Sequence, residues 1–212
     1  EPTVYPRTTG KDGQLIATPK NDWTEGFYPG CLWYIYEHNR EESWKQSAVK
    51  WTEALEPMKK LTSHHDIGFL IYCSFGNGYR LTGKEEYKDV IIEAANSLTT
   101  RFSEVTGCIK SWNYRKAWNG KDEWFYPVII DNMMNLEMLF WASEQTNNPK
   151  YREIAISHAD KTLKNHFRED MTSYHVVSYL ADSGEVESKG TFQGYADSSA
   201  WARGQAWGVY GY

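Results

Sequence analysis

The chain has little of what would place a protein quickly. Cysteine is scarce: Cys31, Cys73 and Cys108 are odd in number, widely spaced and never arranged as CxxC. That argues against a disulfide scaffold and against a zinc ribbon. Long apolar runs are missing too, and none approaches the roughly 18 residues that a membrane-spanning helix needs. Charge comes in no block of one sign, with Lys+Arg 23 against Asp+Glu 28 and a net charge of -5. Neither nucleic acid nor an anionic membrane is therefore expected as the main partner. A small anionic substrate stays open, since one or two local cations suffice for it. No charged n-region, apolar h-region and cleavage site open the chain, so any signal peptide is expected to be gone or never to have existed.

What is abundant is aromatic surface: 16% of 212 residues, with Trp 10 and Tyr 15. Indole and phenol rings offer flat faces to pyranose rings, but they are equally good core residues. Cys31 and Cys73 sit within apolar helical runs and read as buried free thiols.

The pattern along the chain alternates between two kinds of helix. Gly26 to Glu37, Asp66 to Leu81, Asp131 to Gln145 and Ala200 to Tyr212 are apolar nearly all round. Glu41 to Leu55, Lys84 to Phe102 and Pro149 to Phe167 are amphipathic and charged. A helix apolar on all sides is buried and one with a charged stripe lies outside. Thr82-x-x-Glu85 has the spacing of a capping box, and Asn148-Pro149 reads as an N-cap with proline at the first helical position. Inner–outer alternation with a repeated start signal predicts stacked αα-hairpins, and a ring of these is an all-α toroid. The expected domains are an extended arm over residues 1–20 and a partial toroid over 21–212. About seven helices are read, and the last reaches Tyr212 with no stop signal, so about the N-terminal half of such a toroid is expected here. Short hairpins are expected at Ser173 to Gly184 and around Gly107 to Trp112.

Two aspartates stand out, each at the front of a very apolar helix. Asp66 follows His64-His65 and opens Ile67-Gly68-Phe69-Leu70-Ile71-Tyr72; Asp131 follows Ile129-Ile130. Ser63-x-x-Asp66 is also a capping-box spacing, in which Asp66 would merely satisfy a backbone donor. For Asp131, a helix N-terminus favours the ionised carboxylate, whereas burial and a nearby carboxylate favour the protonated form that a general acid needs. In a toroid the inner helices start on one rim, which places Asp66, Asp131 and the segment before Ala200 around one mouth. Metal binding is the weaker use of the histidines: His64 and His65 are adjacent and no HExxH occurs. His158 and His166 are read as solvent-facing on an outer helix. His175 is a candidate hydrogen-bond donor to substrate or a structural residue. Trp201 and Arg203, opening the last helix, could meet a uronate carboxylate or simply pack and pair internally. Gly204 and Gly208, four apart, would let that helix pack tightly.

Several stretches together resemble the unsaturated glucuronyl hydrolases of glycoside hydrolase family 88. They are Asn21-Asp22-Trp23-Thr24-Glu25-Gly26-Phe27, His64-His65-Asp66-Ile67-Gly68-Phe69, Ile129-Ile130-Asp131-Asn132, Trp141-Ala142-Ser143-Glu144-Gln145-Thr146, Ser173-Tyr174-His175 and Trp201-Ala202-Arg203-Gly204-Gln205-Ala206-Trp207-Gly208. The resemblance implies a six-hairpin (α/α)6 barrel that acts on lyase-generated oligosaccharides ending in a 4,5-unsaturated uronate. The implied reaction is hydration of the C4=C5 vinyl ether, without metal or redox cofactor. By the same resemblance Asp131 is the general acid/base, and Asp66 holds substrate hydroxyls and keeps the neighbouring acid protonated. His175, Gln193 and Arg203 contact the uronate; Trp23, Trp112 and Trp201 line the subsites; His65 belongs to the pocket wall. The loop Asn113 to Pro127, with Arg115, Lys116, Trp118, Lys121 and Trp124, departs from the family pattern and could set the preference for the second sugar or be a surface insertion. A bacterial cytoplasm or periplasm is implied. The rival readings are an unsaturated rhamnogalacturonyl hydrolase, a non-catalytic carbohydrate-binding fragment and a helical-repeat interaction protein. Oligomeric state is unassigned.

Overall fold

Helices carry most of the chain in the computed structural model, which describes residues 2–117, 120 and 122–212. Trp118 and Lys121, named above in the 113–127 loop, lie outside the described residues. The chain divides into two units, Glu1–Leu61 with Asp66–Ser97, and Thr62–His65 with Leu98–Tyr212.

The first unit opens with an antiparallel hairpin, β1 (Val4–Thr9) and β2 (Leu15–Pro19). Within the stretch read as an extended arm, residues 4–19 thus form a paired ribbon. Its turn carries Asp12-Gly13, and its strands lack clean polar–apolar alternation because most of their residues face solvent. Helices α1 (Phe27–Asn39) and α2 (Glu42–Glu53) follow, near the bounds read from the sequence. Trp33 of α1 is fully buried and donates its indole N–H to Thr52 Oγ1 on α2 at 2.9 Å. Tyr5 on β1 packs edge-on against Trp51 and donates its hydroxyl to the Trp51 carbonyl at 2.9 Å.

The inner helix after Asp66 departs from α geometry. Gly68–Gly76 is π-helical, and ordinary helix resumes in α3 (Asn77–Thr82). A π segment of this length is rare. The carbonyls displaced from the regular ladder find side chains: Ser74 Oγ donates to Leu70 O at 2.6 Å, and Asn77 Nδ2 to Cys73 O at 2.9 Å. The start of α1 lies directly on the widened turns. A Cβ on Gly26 would stand 1.8 Å from the Phe69 oxygen, and one on Gly30 would stand 2.9 Å from the Cys73 oxygen. Helix α4 (Glu85–Thr99) buries the stripe Tyr87, Val90, Ile91, Ala94 and Ala95 expected of an outer amphipathic helix. The division between the units falls in its last turn.

Glu25, just before α1, is fully buried. Burial, reinforced by the charge of Asp22 and opposed by Arg7, raises its pKa from 4.5 to about 8. A carboxyl raised in the fold stabilises most below its unfolded pKa. That contribution is lost as pH rises from 4.5 through about 8.

The second unit contains short strand pairs and one three-stranded sheet beside its helices. β3 (Phe102–Ser103) pairs with β4 (Cys108–Ile109), the hairpin expected near Gly107. β5 (Arg115–Lys116) pairs with β6 (Glu123–Trp124). β7 (Pro127–Ile129), unrecognised in the sequence because of its three residues, pairs antiparallel with β8 (Val176–Tyr179). β8 in turn pairs with β9 (Val186–Gly190). A 3₁₀ turn, Ile130–Met134, leads from β7 into α5 (Asn135–Thr146), followed by α6 (Pro149–His166) and α7 (Ala202–Gly211). Asn148 caps α6 as read, accepting from Lys150 N at 3.1 Å.

Two expectations fail. His158 and His166 do not face solvent; both are fully buried. Each imidazole satisfies a strand: Ile109 N donates to His158 Nδ1 at 3.1 Å, and His166 Nε2 lies 3.0 Å from the Val128 oxygen. The α6 periodicity hid this, because a sheet covers the face that would otherwise meet water. Cys31 is exposed and Cys73 only half-buried, leaving Cys108 as the buried thiol.

Gly26→Ala should lower stability by about 3 kcal/mol, because the obstacle is backbone rather than a movable side chain. Urea denaturation tests this, and an unchanged midpoint would contradict the packing of α1 on the π-helical segment.

Candidate functional site

The three-stranded sheet brings its chemistry to one end. Its register pairs Ile129 with Val176, and Val176 with Gly190. The residues just beyond those positions are Ile130-Asp131, His175 and Thr191-Phe192-Gln193, so the ends of three strands meet. A further bond continues the ladder there, from Ile130 N to His175 O at 3.0 Å. A neighbouring segment joins through Ser111, whose N–H donates to Pro127 O at 2.8 Å. Ser111 Oγ accepts from Ile129 N at 2.9 Å, and the next residue is Trp112.

The turn that holds Asp131 is set in a buried polar lattice. Asn132 Nδ2 donates to Ile109 O at 2.7 Å, while Asn135 Nδ2 donates to Asn132 Oδ1 at 2.7 Å and to His65 O at 2.9 Å. His65 N–H donates to Ser111 O at 3.1 Å. His65, Ser111, Asn132 and Asn135 are all fully buried. Every bond in this lattice fixes backbone or another side chain, so the carboxylate it carries has little freedom to reorient. Helix α7 closes on the same turn. A Cβ on Gly204 would lie 3.0 Å from Ile130 Cγ2, and one on Gly211 would lie 2.5 Å from Met133 Cβ. The small residues read from the sequence thus do allow close packing, with Gly211 as an added member.

His175 is the centre of the geometry. Its Nδ1 accepts two backbone N–H groups, from Phe192 at 3.0 Å and Gln193 at 3.2 Å. A nitrogen that accepts carries no proton, so neutral His175 holds its proton on Nε2. Nε2 lies 3.6 Å from Asp131 Oδ2, too far for a direct hydrogen bond but suited to one shared through a third atom. Burial, aided by the charges of His166, Arg203 and His65, pushes the His175 pKa down to about 3. The contact with Asp131 is therefore that of a neutral N–H donor, not of an ion pair.

The remaining expected residues of this unit gather around that donor. The Trp201 ring lies 4.5 Å from the His175 ring, and Arg203 Cζ lies 4.5 Å over Trp201. Arg203 Nη2 donates to Gln193 Oε1. Trp112 meets His175 edge-on at 6.2 Å. Asp131, His175, Gln193, Arg203, Trp201, Trp112 and His65 thus all belong to the second unit. Asp66 and Trp23 belong to the first. There Asp66 O accepts the Leu70 N–H at 3.1 Å at the entry to the π-helical segment. Trp23 packs on Phe27 and Phe69, with the Arg7 guanidinium 5.5 Å over its ring.

Sequence reasoning passed over the residues that hold this arrangement. Asp197 Oδ1 accepts from Thr191 N at 2.7 Å, and Thr191 Oγ1 accepts from Gly194 N at 2.7 Å, which fixes the turn that supplies the two amides to His175. Arg168 ties that loop down by donating to the Asp197 and Ser199 carbonyls at 2.9 and 3.3 Å. Asp197 was readable as a turn residue, but its partner six residues earlier was not.

Such a site offers a neutral N–H, a guanidinium and an amide to an anionic ligand, beside a buried carboxyl and two indole walls. The profile of Glycosyl Hydrolase Family 88 matches residues 3–212. The chain belongs to this family. It is 44% identical over 210 residues to an unsaturated glucuronyl hydrolase of Formosa agariphila, across 98% of this chain and 51% of that protein. It is 38% identical over 215 residues to an unsaturated chondroitin disaccharide hydrolase of Streptococcus agalactiae, across 98% and 52%. The crystal structure of an unsaturated glucuronyl hydrolase specific for heparin superposes with a TM-score of 0.93 at 45% identity, over 99% of this chain and 55% of that one. The chain spans about half the length of the curated family members it matches.

The histidines buried along α6 make the stability of this unit depend on pH. Burial also holds His158 at about 3 and His166 at about 4, helped for His158 by neighbouring imidazoles and opposed for His166 by the Val128 carbonyl. A histidine lowered in the fold binds fewer protons than its unfolded form at about 6.5, so its contribution is full above 6.5 and is lost as pH falls towards 3. Stability is expected to fall between pH 6.5 and 4 by about 1 kcal/mol per pH unit for each such histidine. Urea midpoints against pH test this. His158→Gln should flatten the profile, and identical slopes in both proteins would refute the assignment.

Proposed function

We propose that this chain carries the acid/base and uronate-binding part of a glycosidase. The enzyme removes a terminal 4,5-unsaturated uronic acid from lyase-generated, glycosaminoglycan-like oligosaccharides. The observation that carries the reading is the His175 Nε2–H, fixed by two amides 3.6 Å from Asp131 and flanked by Arg203 and Gln193. Support comes from the relatives, named for unsaturated glucuronyl and chondroitin disaccharide hydrolysis.

In this reading Arg203 and Gln193 take the uronate carboxylate, the guanidinium supplying charge and the amide direction. The indole faces of Trp201 and Trp112 hold the sugar ring. Asp131 delivers a proton to C4 and guides water to C5, which converts the vinyl ether into a hemiketal. The hemiketal opens and releases the aglycone sugar. The His175 N–H bridges to Asp131 through a substrate oxygen or the attacking water, and its neutrality leaves the Asp131 proton available for C4. Asp66 holds substrate hydroxyls, and Trp23 and His65 contribute to the walls. The same reading makes the fold a six-hairpin α/α barrel, of which residues 21–212 form about the N-terminal half and residues 1–20 an arm.

Loss of the ultraviolet absorbance of an unsaturated disaccharide reports the double bond directly. Asp131→Asn should slow that loss about 10³-fold, the scale of a removed general acid, while equilibrium binding of the same disaccharide persists. Turnover undiminished in the variant would remove Asp131 from the mechanism. Binding with no turnover in either protein would favour a carbohydrate-binding role.

A further inference from the structure

Among the described residues, Arg115 is a cation without a paired anion. It stands on β5 opposite Trp124. Trp124 is buried and donates its indole N–H to Ser188 Oγ on β9 at 3.1 Å, so the hairpin is pinned to the three-stranded sheet. Arg115 Cζ lies 4.7 Å from the ring centroid of Trp112 and 4.7 Å from that of Phe192. The two rings stand 5.4 Å apart at 63°. Its Nε is shielded from water and makes no hydrogen bond with any described residue. Nor is any carboxylate among the described residues paired with its guanidinium. Glu123, across the hairpin, instead accepts the Tyr114 hydroxyl at 3.2 Å.

A guanidinium stays charged at every physiological pH, and ring stacking alone does not replace its lost hydration. Its fork of N–H groups matches the paired oxygens of a carboxylate or a sulfate. The apolar rings beneath it lower the local dielectric and strengthen any such pair. Its placement links it to the site described above. The Phe192 that carries Arg115 on its ring also donates its backbone N–H to His175, and Trp112 meets the His175 ring. The cation thus stands one aromatic ring away from His175, and so from the groups proposed to hold the uronate.

We propose that Arg115 binds an oxyanion on the sugar attached to the unsaturated uronate, either a sulfate ester or a second carboxylate, and thereby sets substrate preference. The proposal rests on the uronate-glycosidase reading. It assigns the 113–127 segment a role in specificity, with the cation displayed on a pinned hairpin and its counter-charge supplied by substrate.

The test uses the full chain and three unsaturated disaccharides that differ only in the second sugar: neutral, sulfated or carboxylated. In Arg115→Gln, the ratio of kcat/KM for a charged substrate over the neutral one should fall about 10-fold or more, the scale of one charge-assisted pair. The fall should lie mainly in KM. Arg115→Lys should recover part of it, because it keeps the charge but loses the fork. Whichever ratio falls, sulfated or carboxylated, identifies the source of the anion. Unchanged ratios, or an equal loss on all three substrates, overturn the proposal. If the wild type turns over none of them, the glycosidase reading fails, and calorimetry with glucosamine 6-sulfate and with glucuronate, each against its uncharged sugar, then decides. Anion-dependent binding of either sugar that Arg115→Gln abolishes supports the site, and its absence for both overturns it.

Discussion

The second unit depends on one constraint: the buried backbone groups and side-chain amides around residues 129–135 must find partners where water cannot reach. Ser111, Asn132, Asn135 and the His65 backbone do this with bonds of 2.7 to 3.1 Å. An unmade bond in such a place costs about 1–3 kcal/mol, and the cost of a broken network exceeds that of any one member. The strand end at Ile129, the 3₁₀ turn and the first turn of α5 are therefore locked as one piece. The backbone of Asp131 takes its position from that lock.

The same economy of means governs His175. Two amides from one tight turn set its tautomer, and that turn is held in turn by Asp197, Thr191 and Arg168. A histidine surrounded by hydroxyls could rotate or exchange protons between its nitrogens. One that accepts two N–H groups on Nδ1 cannot do so without leaving both donors unpaired. His158, His166 and His175, held by burial at about 3 to 4, are neutral near pH 7 and serve as fixed donors and acceptors. Glu25 in the first unit is biased the opposite way, neutral because it is a buried acid. The two units consequently weaken at opposite ends of the pH scale.

Much of the fold was legible. Among the described residues, the alternation of apolar and charged helices located the helical segments to within a few residues, with the one after Asp66 π-helical before it becomes α3, because 3.6-residue periodicity survives whatever the helix packs against. The hairpin near Gly107 and that after His175 were also visible, through β-branched runs ended by glycine or Asp-Ser-Gly. Three things were not. The π-helical geometry of Gly68–Gly76 goes with the close approach of Gly26 and Gly30, residues some 40 positions away. β7 is too short to show a period. The burial of His158 and His166 depends on which strands lie across α6.

For the candidate site, the candidate groups were named from the sequence by itself. Asp131, Asp66, His175, Trp201 and Arg203 stood out by residue type and local spacing, and the family resemblance added Gln193, Trp112 and Trp23. Only the tertiary structure decided their states. The His175 proton sits on Nε2 because of amides 17 and 18 residues away, and Arg115 meets no carboxylate among the described residues because the hairpin turns it onto two aromatic rings. Protonation and pairing are properties of surroundings, and surroundings are assembled from distant parts of the chain.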